Sequence, residues 1–259
     1  MPIGILDSGV GGLTVWREIV RRLPEQSTIY LGDSKNCPYG TKTEEAIWDL
    51  TKNMVEFLLA KQVSLIVLAC NTISVTTLER LRQVYPNVSF IGTVPAVKTA
   101  VVSSKSQRIG ILSTPRTASS EYQNKLIQEF ATNCFVLNRG TDRLVPLVEA
   151  GMLDGERVDQ ILQEVLQPFI EAKIDTLVLG CTHFPFLKEP MQHILGDAVT
   201  ILDSGEAIAR QVEKLQKEQG MTPDLSAEHL FYTSGESDQM NRLLRTFDDF
   251  ATLQAQSLV

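Results

Sequence analysis

The sequence predicts an α/β protein built as two similar α/β domains with mostly parallel sheets related by a pseudo-two-fold axis. Three observations carry that prediction. Strand-like and helix-like runs alternate along the chain, the apolar strands are continuous rather than alternating, and the sequence resembles itself at a nearly constant offset.

Ile3 to Leu6 reads as a buried strand, after which Leu13, Trp16, Ile19, Val20 and Leu23 fall on one helical face. Thr28 to Leu31 is a second strand. After the turn Pro38-Tyr39-Gly40, Thr41 and Glu44 have capping-box spacing, and Ile47, Leu50, Met54 and Leu58 mark the stripe of a helix. Leu65 to Leu68 is apolar throughout, as in a strand covered on both faces. Ser204 to Gly220 reads as a helix with Ile208, Val212 and Leu215 on one face and a terminating glycine.

The repeat organises these elements. Ile3-Gly4-Ile5-Leu6-Asp7-Ser8 recurs as Ile109-Gly110-Ile111-Leu112-Ser113-Thr114, an offset of 106. Ile66 to Thr72 lies over Leu177 to His183 at an offset of 111, and the apolar run ending at Ile91 lies over the one ending at Ile201 at 110. The expected division is a first domain of residues 1–95 plus 205–259 and a second of 96–204, with the site between them. The segment from 205 onward exceeds the repeat and is expected to pack back onto the first half.

Hydrophobic residues make up 43% of the 259 and charged ones 21%, the balance of an ordinary globular chain. A net charge of −7 without a basic cluster argues against nucleic acid as a partner. Between Lys61 and Glu79, seven of 17 uncharged positions are Gln, Ser, Asn or Thr, which reads as a strand entering a polar turn, not a membrane span. No basic region opens the chain, so a cytoplasmic location is expected, and there four cysteines are buried or chemically employed rather than paired.

In an open parallel sheet, ligands bind beyond the carboxyl ends of the strands. Asp7-Ser8, Asp33, Cys70-Asn71-Thr72 and Cys181-Thr182-His183 fall at such ends, the last two at equivalent places in the repeat. If the halves face each other, Cys70 and Cys181 approach one cleft from opposite sides. That arrangement suits inversion of a carbon bearing an acidic hydrogen, where one thiolate removes the proton and an opposing thiol delivers another. Alone, either cysteine reads as a small buried hydrophobe, and duplication at matching strand ends reverses that reading. His183 joins them by proximity, while Cys37, Cys134, His193 and His229 read as structural. Asp7 is either a helix cap or part of the site.

Other motifs are weaker. Gly9-Val10-Gly11-Gly12 has Thr14 where a dinucleotide fingerprint needs its third glycine, Gly40-Thr41-Lys42-Thr43 lacks the Gly-Lys of a P-loop, and no Gly-x-Ser-x-Gly elbow occurs. No paired-ligand spacing supports a metal at Cys70, Cys181 and His183, so none is expected.

Taken together, Asp7-Ser8-Gly9-Val10-Gly11-Gly12, Pro38-Tyr39-Gly40, Cys70-Asn71-Thr72, Leu147-Val148-Glu149-Ala150-Gly151 and Gly180-Cys181-Thr182-His183 resemble the glutamate racemase family over nearly the whole chain. The resemblance implies a cofactor-independent enzyme interconverting L- and D-glutamate for peptidoglycan, on a two-domain pseudo-symmetric fold. It implies Cys70 acting on the D-isomer with help from Asp7, and Cys181 acting on the L-isomer with help from His183, itself oriented by Glu149. The implied substrate contacts are Asp7, Ser8, Tyr39, Gly40, Asn71, Thr72, Thr114, Thr117, Thr182 and His183. Arg116 stands where the family often has glycine, and no Arg clamp is evident, so neutral donors would hold the two carboxylates. The chain begins two residues before its first strand, so activation by a cell-wall precursor, which some members achieve through an N-terminal extension, is not expected. The expected partner is the small-molecule substrate, with a homodimer left open. An aspartate racemase or related isomerase and a non-catalytic amino-acid-binding module remain as alternatives.

Overall fold

A computed structural model describes residues 1–63, 65–220, 227–247 and 252–258. Within the segment 205–259, residues 221–226, 248–251 and 259 therefore lie outside the described residues.

The first strand, β1 (Ile3–Asp7), is buried along its whole length and lies between β2 (Thr28–Gly32) and β3 (Leu65–Leu68), with β4 (Ser89–Gly92) beyond β3. In the second sheet, β5 (Arg108–Ser113) lies between β6 (Phe135–Gly140) and β7 (Thr176–Gly180), with β8 (Thr200–Leu202) beyond β7. The strand orders β2-β1-β3-β4 and β6-β5-β7-β8 are the same. The self-similar segments of the sequence are thus β1 over β5, β3 over β7 and β4 over β8. Every pairing among the described strands is parallel. Continuous apolar strands follow from that, because helices cover both faces.

Chain beyond the repeat returns to the first sheet. After α10 (Gly205–Glu218), β9 (His229–Thr233) pairs with β2, and β10 (Ala255–Ser257) extends the edge. α10 packs on α1 (Leu13–Arg22) through Ile208, Ala209 and Val212, and Gly220 supplies the positive φ that ends the segment. The short helix α11 (Ser237–Leu244) buries Met240, Leu243 and Leu244 in the same core.

One local expectation needs correction. α2 (Glu44–Ala60) is capped by Thr43, whose hydroxyl accepts the Ala46 N–H at 3.3 Å, so Glu44 is the first helical residue and no Thr41–Glu44 capping box forms. Starting at Thr43 puts both Glu44 and Glu45 in the first turn, where the helix dipole favours negative charge. No helix among the described residues is long and apolar enough to cross a membrane.

Candidate active site

β3 ends at Leu68, and two residues later Cys70 caps α3 (Asn71–Val84); β7 ends at Gly180, and Cys181 follows directly. Equivalent strand ends thus deliver both sulfurs to one cavity. It is walled by Ser8, Pro38, Tyr39, Gly40, Cys70, Asn71, Thr72, Thr114, Val145, Cys181 and His183. Its volume is about 10 Å³, room for roughly one water molecule.

Around Cys70 the neighbours are a hydroxyl and a carboxylate. Ser8 Oγ lies 3.5 Å from its sulfur, and burial, followed by the negative field of Asp7, pushes the thiol up to about 12. Asp7 is fully buried: Oδ1 accepts the Gly9 N–H at 2.9 Å and Oδ2 accepts the Thr182 hydroxyl at 3.0 Å. Burial raises the Asp7 carboxyl above its ordinary value, although His183 and the Gly9 N–H oppose the rise.

Cys181 has a different companion. Its sulfur is 3.9 Å from His183 Nδ1, and His183 Nε2 is 2.6 Å from Glu149 Oε1. Burial disfavours an imidazolium here, yet the hydrogen bonds to Cys181, Cys37 and Glu149 outweigh it and hold the ring's proton well above the ordinary histidine range. Glu149 sits at the end of α7 (Leu144–Glu149), and its Oε1 also accepts the Val10 N–H at 2.9 Å. These approaches require the glycine-rich turn. A Cβ on Gly9 would lie 1.9 Å from Glu149 Oε1, and one on Gly11 2.2 Å from His183 Nδ1. The turn that resembled a nucleotide fingerprint instead leaves room for the Glu149 and His183 side chains.

Hydroxyls and an amide complete the wall. Thr72 Oγ1 is 2.9 Å from Thr114 Oγ1 and 3.3 Å from Thr117 Oγ1, and Thr114 caps α5 (Pro115–Ser119), so the two halves meet in a cluster of threonines. Asn71 Nδ2 is buried without a hydrogen-bond partner. An orphaned donor on a cavity wall is costly unless something occupies the cavity. Tyr39 donates its hydroxyl to Asp33 Oδ2 at 2.5 Å, so this residue offers the cavity its ring and backbone rather than its O–H. Asp7, Thr117, Thr182 and Glu149 are not part of the wall: Thr117 bonds Thr72 and Thr114, Glu149 bonds His183, and Asp7 and Thr182 bond each other.

Two participants escaped sequence reasoning, and a third, Asp33, stood out only by its place at a strand end. Cys37, read as structural, donates its S–H to Glu149 Oε1 at 3.6 Å; Asp33 anchors Tyr39; and Gln239 of α11 donates to Glu149 Oε2 at 2.6 Å. Cys37 and Gln239 lie 112 and 90 residues from Glu149, beyond any local signal. Cys37, Glu149 and His183 place possible ligand atoms within 4.8 Å of one another, alone among the described residues. Burial lifts the Cys37 thiol to about 12, while hydrogen bonds to Cys181, Cys37 and Glu149 hold the proton on His183.

The model of the Asp/Glu/Hydantoin racemase family matches residues 3–212. The chain belongs to that family. A glutamate racemase of Exiguobacterium sibiricum is 38% identical over 244 residues, 93% of this chain and 90% of that protein. Among solved structures, glutamate racemase isoform RacE1 of Bacillus anthracis is 34% identical with a TM-score of 0.87, covering 99% of this chain and 96% of that one. The Escherichia coli glutamate racemase, solved with L-glutamate and the activator UDP-MurNAc-ala, is 31% identical with a TM-score of 0.86, covering 100% and 98%.

Proposed function

We propose that this chain is a glutamate racemase that inverts Cα by two-thiol proton transfer, without a cofactor, and so supplies D-glutamate for peptidoglycan in the cytoplasm. The observation that carries the reading is that Cys70 and Cys181, at equivalent ends of β3 and β7, line one cavity. The relatives' activity supports it, as do the hydroxyls and the unpartnered Asn71 amide on the cavity wall.

On the D-isomer, the Cys70 thiolate takes the Cα proton: the C–H bond breaks, an S–H bond forms, and the electron pair stays on carbon. The Cys181 thiol then donates its proton to the opposite face, and the L-isomer results. The reverse reaction exchanges the roles. Asp7, with its raised carboxyl, accepts the proton Cys70 must first release, while His183 supplies a cation beside Cys181. Asn71 Nδ2, the hydroxyls of Ser8, Thr72 and Thr114, and backbone N–H groups at the start of α3 are donors for the two carboxylates, with Thr117 and Thr182 behind them. A cavity of about 10 Å³ does not admit glutamate, so the walls carried by the two halves, residues 1–95 with 205–259 and 96–204, part for entry.

Incubation in deuterium oxide with glutamate and with aspartate, side by side, tests the reading. Deuterium at Cα of glutamate alone is expected. Incorporation into aspartate alone would reassign the substrate, and incorporation into neither would leave a binding module.

A further inference from the structure

Glu149 orients His183 through Oε1, but a carboxylate has two oxygens and can turn about its last bond. Oε1 is engaged by the Val10 N–H, the Cys37 thiol and His183. Among the described residues, Oε2 has one donor, Gln239, whose amide nitrogen also donates to the Glu149 backbone carbonyl. Both partners are acceptors, so only the NH₂ end of the Gln239 amide satisfies them, which fixes its orientation. Gln239 belongs to α11, beyond the stretch matched by the family model. Together with Cys37, Pro38, Val145, Pro146 and Ala150, Gln239 and Glu149 line an open cavity of about 330 Å³.

We infer that Gln239 is a positioning residue for the Cys181 side of the reaction: by clamping Oε2 and the backbone of Glu149, it keeps Oε1 on His183 and so holds His183 against Cys181. The inference rests on the two-thiol reading above. It concerns one of the two proton transfers, and that makes it separable from a general contribution to folding.

The test uses Gln239→Met in the full chain, which keeps the side chain's length and removes the donor. Enantiomers have equal free energy, so kcat/KM must fall by the same factor from L- and D-glutamate, about tenfold, and cannot reveal which side is affected. Primary isotope effects can. With the Cys181 transfer slowed, the effect on Cα-deuterated L-glutamate rises and that on Cα-deuterated D-glutamate falls toward unity. Gln239→Asn, which keeps the amide but shortens the reach, gives the same readout should methionine disturb the packing of α11. Turnover at the wild-type level in a folded variant, or isotope effects that move together, would overturn the inference. Glu149→Gln is the control: it should show the same split more strongly. If the control splits and Gln239→Met does not, the role of Gln239 alone is lost; if the control does not split, Glu149 does not govern the Cys181 transfer and the inference falls, while Cys70→Ser and Cys181→Ser test the two-thiol reading separately.

Discussion

The ends of β3 and β7 are the same place in two copies of one fold unit, yet their surroundings differ in sign. Cys70 has a hydroxyl at 3.5 Å and a buried carboxylate, Asp7, as its charged neighbour. Cys181 has a protonated imidazole at 3.9 Å, backed by Glu149. Duplication supplies symmetric positions, and the residues around them supply unlike proton chemistry. A reaction with mirror-image substrates does not require mirror-image catalysts. It requires two opposed proton carriers, each matched to its own relay.

The largest effect expected from breaking this comparison is the loss of either sulfur. Cys70→Ser and Cys181→Ser should each lower racemisation by about 10³-fold, within the range general acid–base groups contribute, with an unchanged circular dichroism spectrum. A variant retaining a tenth of the turnover would contradict the need for both thiols.

Next comes the relay unique to the Cys181 side. Glu149→Gln should slow turnover by about 10²-fold and change the pH profile. His183 holds its proton well above 6.5, so activity that needs the imidazolium persists through neutral pH and is lost as pH rises through the raised value. Removing the carboxylate partner lowers that value, so the alkaline limb of kcat should move to lower pH. An unmoved limb would mean that Glu149 does not set the charge of His183.

Gly11→Ala probes the same relay sterically. Its new methyl would meet His183 Nδ1 at 2.2 Å. Overpacking of this kind costs about 1–3 kcal/mol, and activity should fall about tenfold, more than thermal denaturation alone would explain. Retained activity would show that the imidazole can shift without consequence.

The smallest effect sharpens the other side. Ser8→Ala removes the hydroxyl beside Cys70, which has no counterpart at Cys181, and should slow turnover by about three-fold, the scale of one weak hydrogen bond. Here the isotope effect on D-glutamate should rise and that on L-glutamate fall, the mirror of the Glu149 result. A split in the same direction as Glu149→Gln would assign Ser8 to the wrong sulfur.

Much of this molecule was legible before any coordinates. Continuous apolar strands announced a parallel sheet covered on both faces, and an internal match over the segments that form β1 and β5, β3 and β7, and β4 and β8 announced two sheets of one topology. Cys70 and Cys181 stood out because each closes a matched strand, and the rule that ligands gather at carboxyl ends then placed them together. The helix start at Thr43 was misread by two residues because threonines at 41 and 43 both offer a capping hydroxyl.

By itself, the sequence determined the repeated βαβ units and the strand-end positions of the two sulfurs, since hydrophobic periodicity and strand-end chemistry are local properties of the chain. Only the tertiary structure decided the partners that give each sulfur its character. Val10 meets Glu149 across 139 residues, Gln239 meets it across 90, and Thr182 meets Asp7 across 175. Such pairings are fixed by how the two sheets face each other and by α11 returning to the first of them. Glycines at 9 and 11 admit them by leaving room where any side chain would collide. A local pattern cannot encode which distant groups arrive there, because that depends on the whole path of the chain.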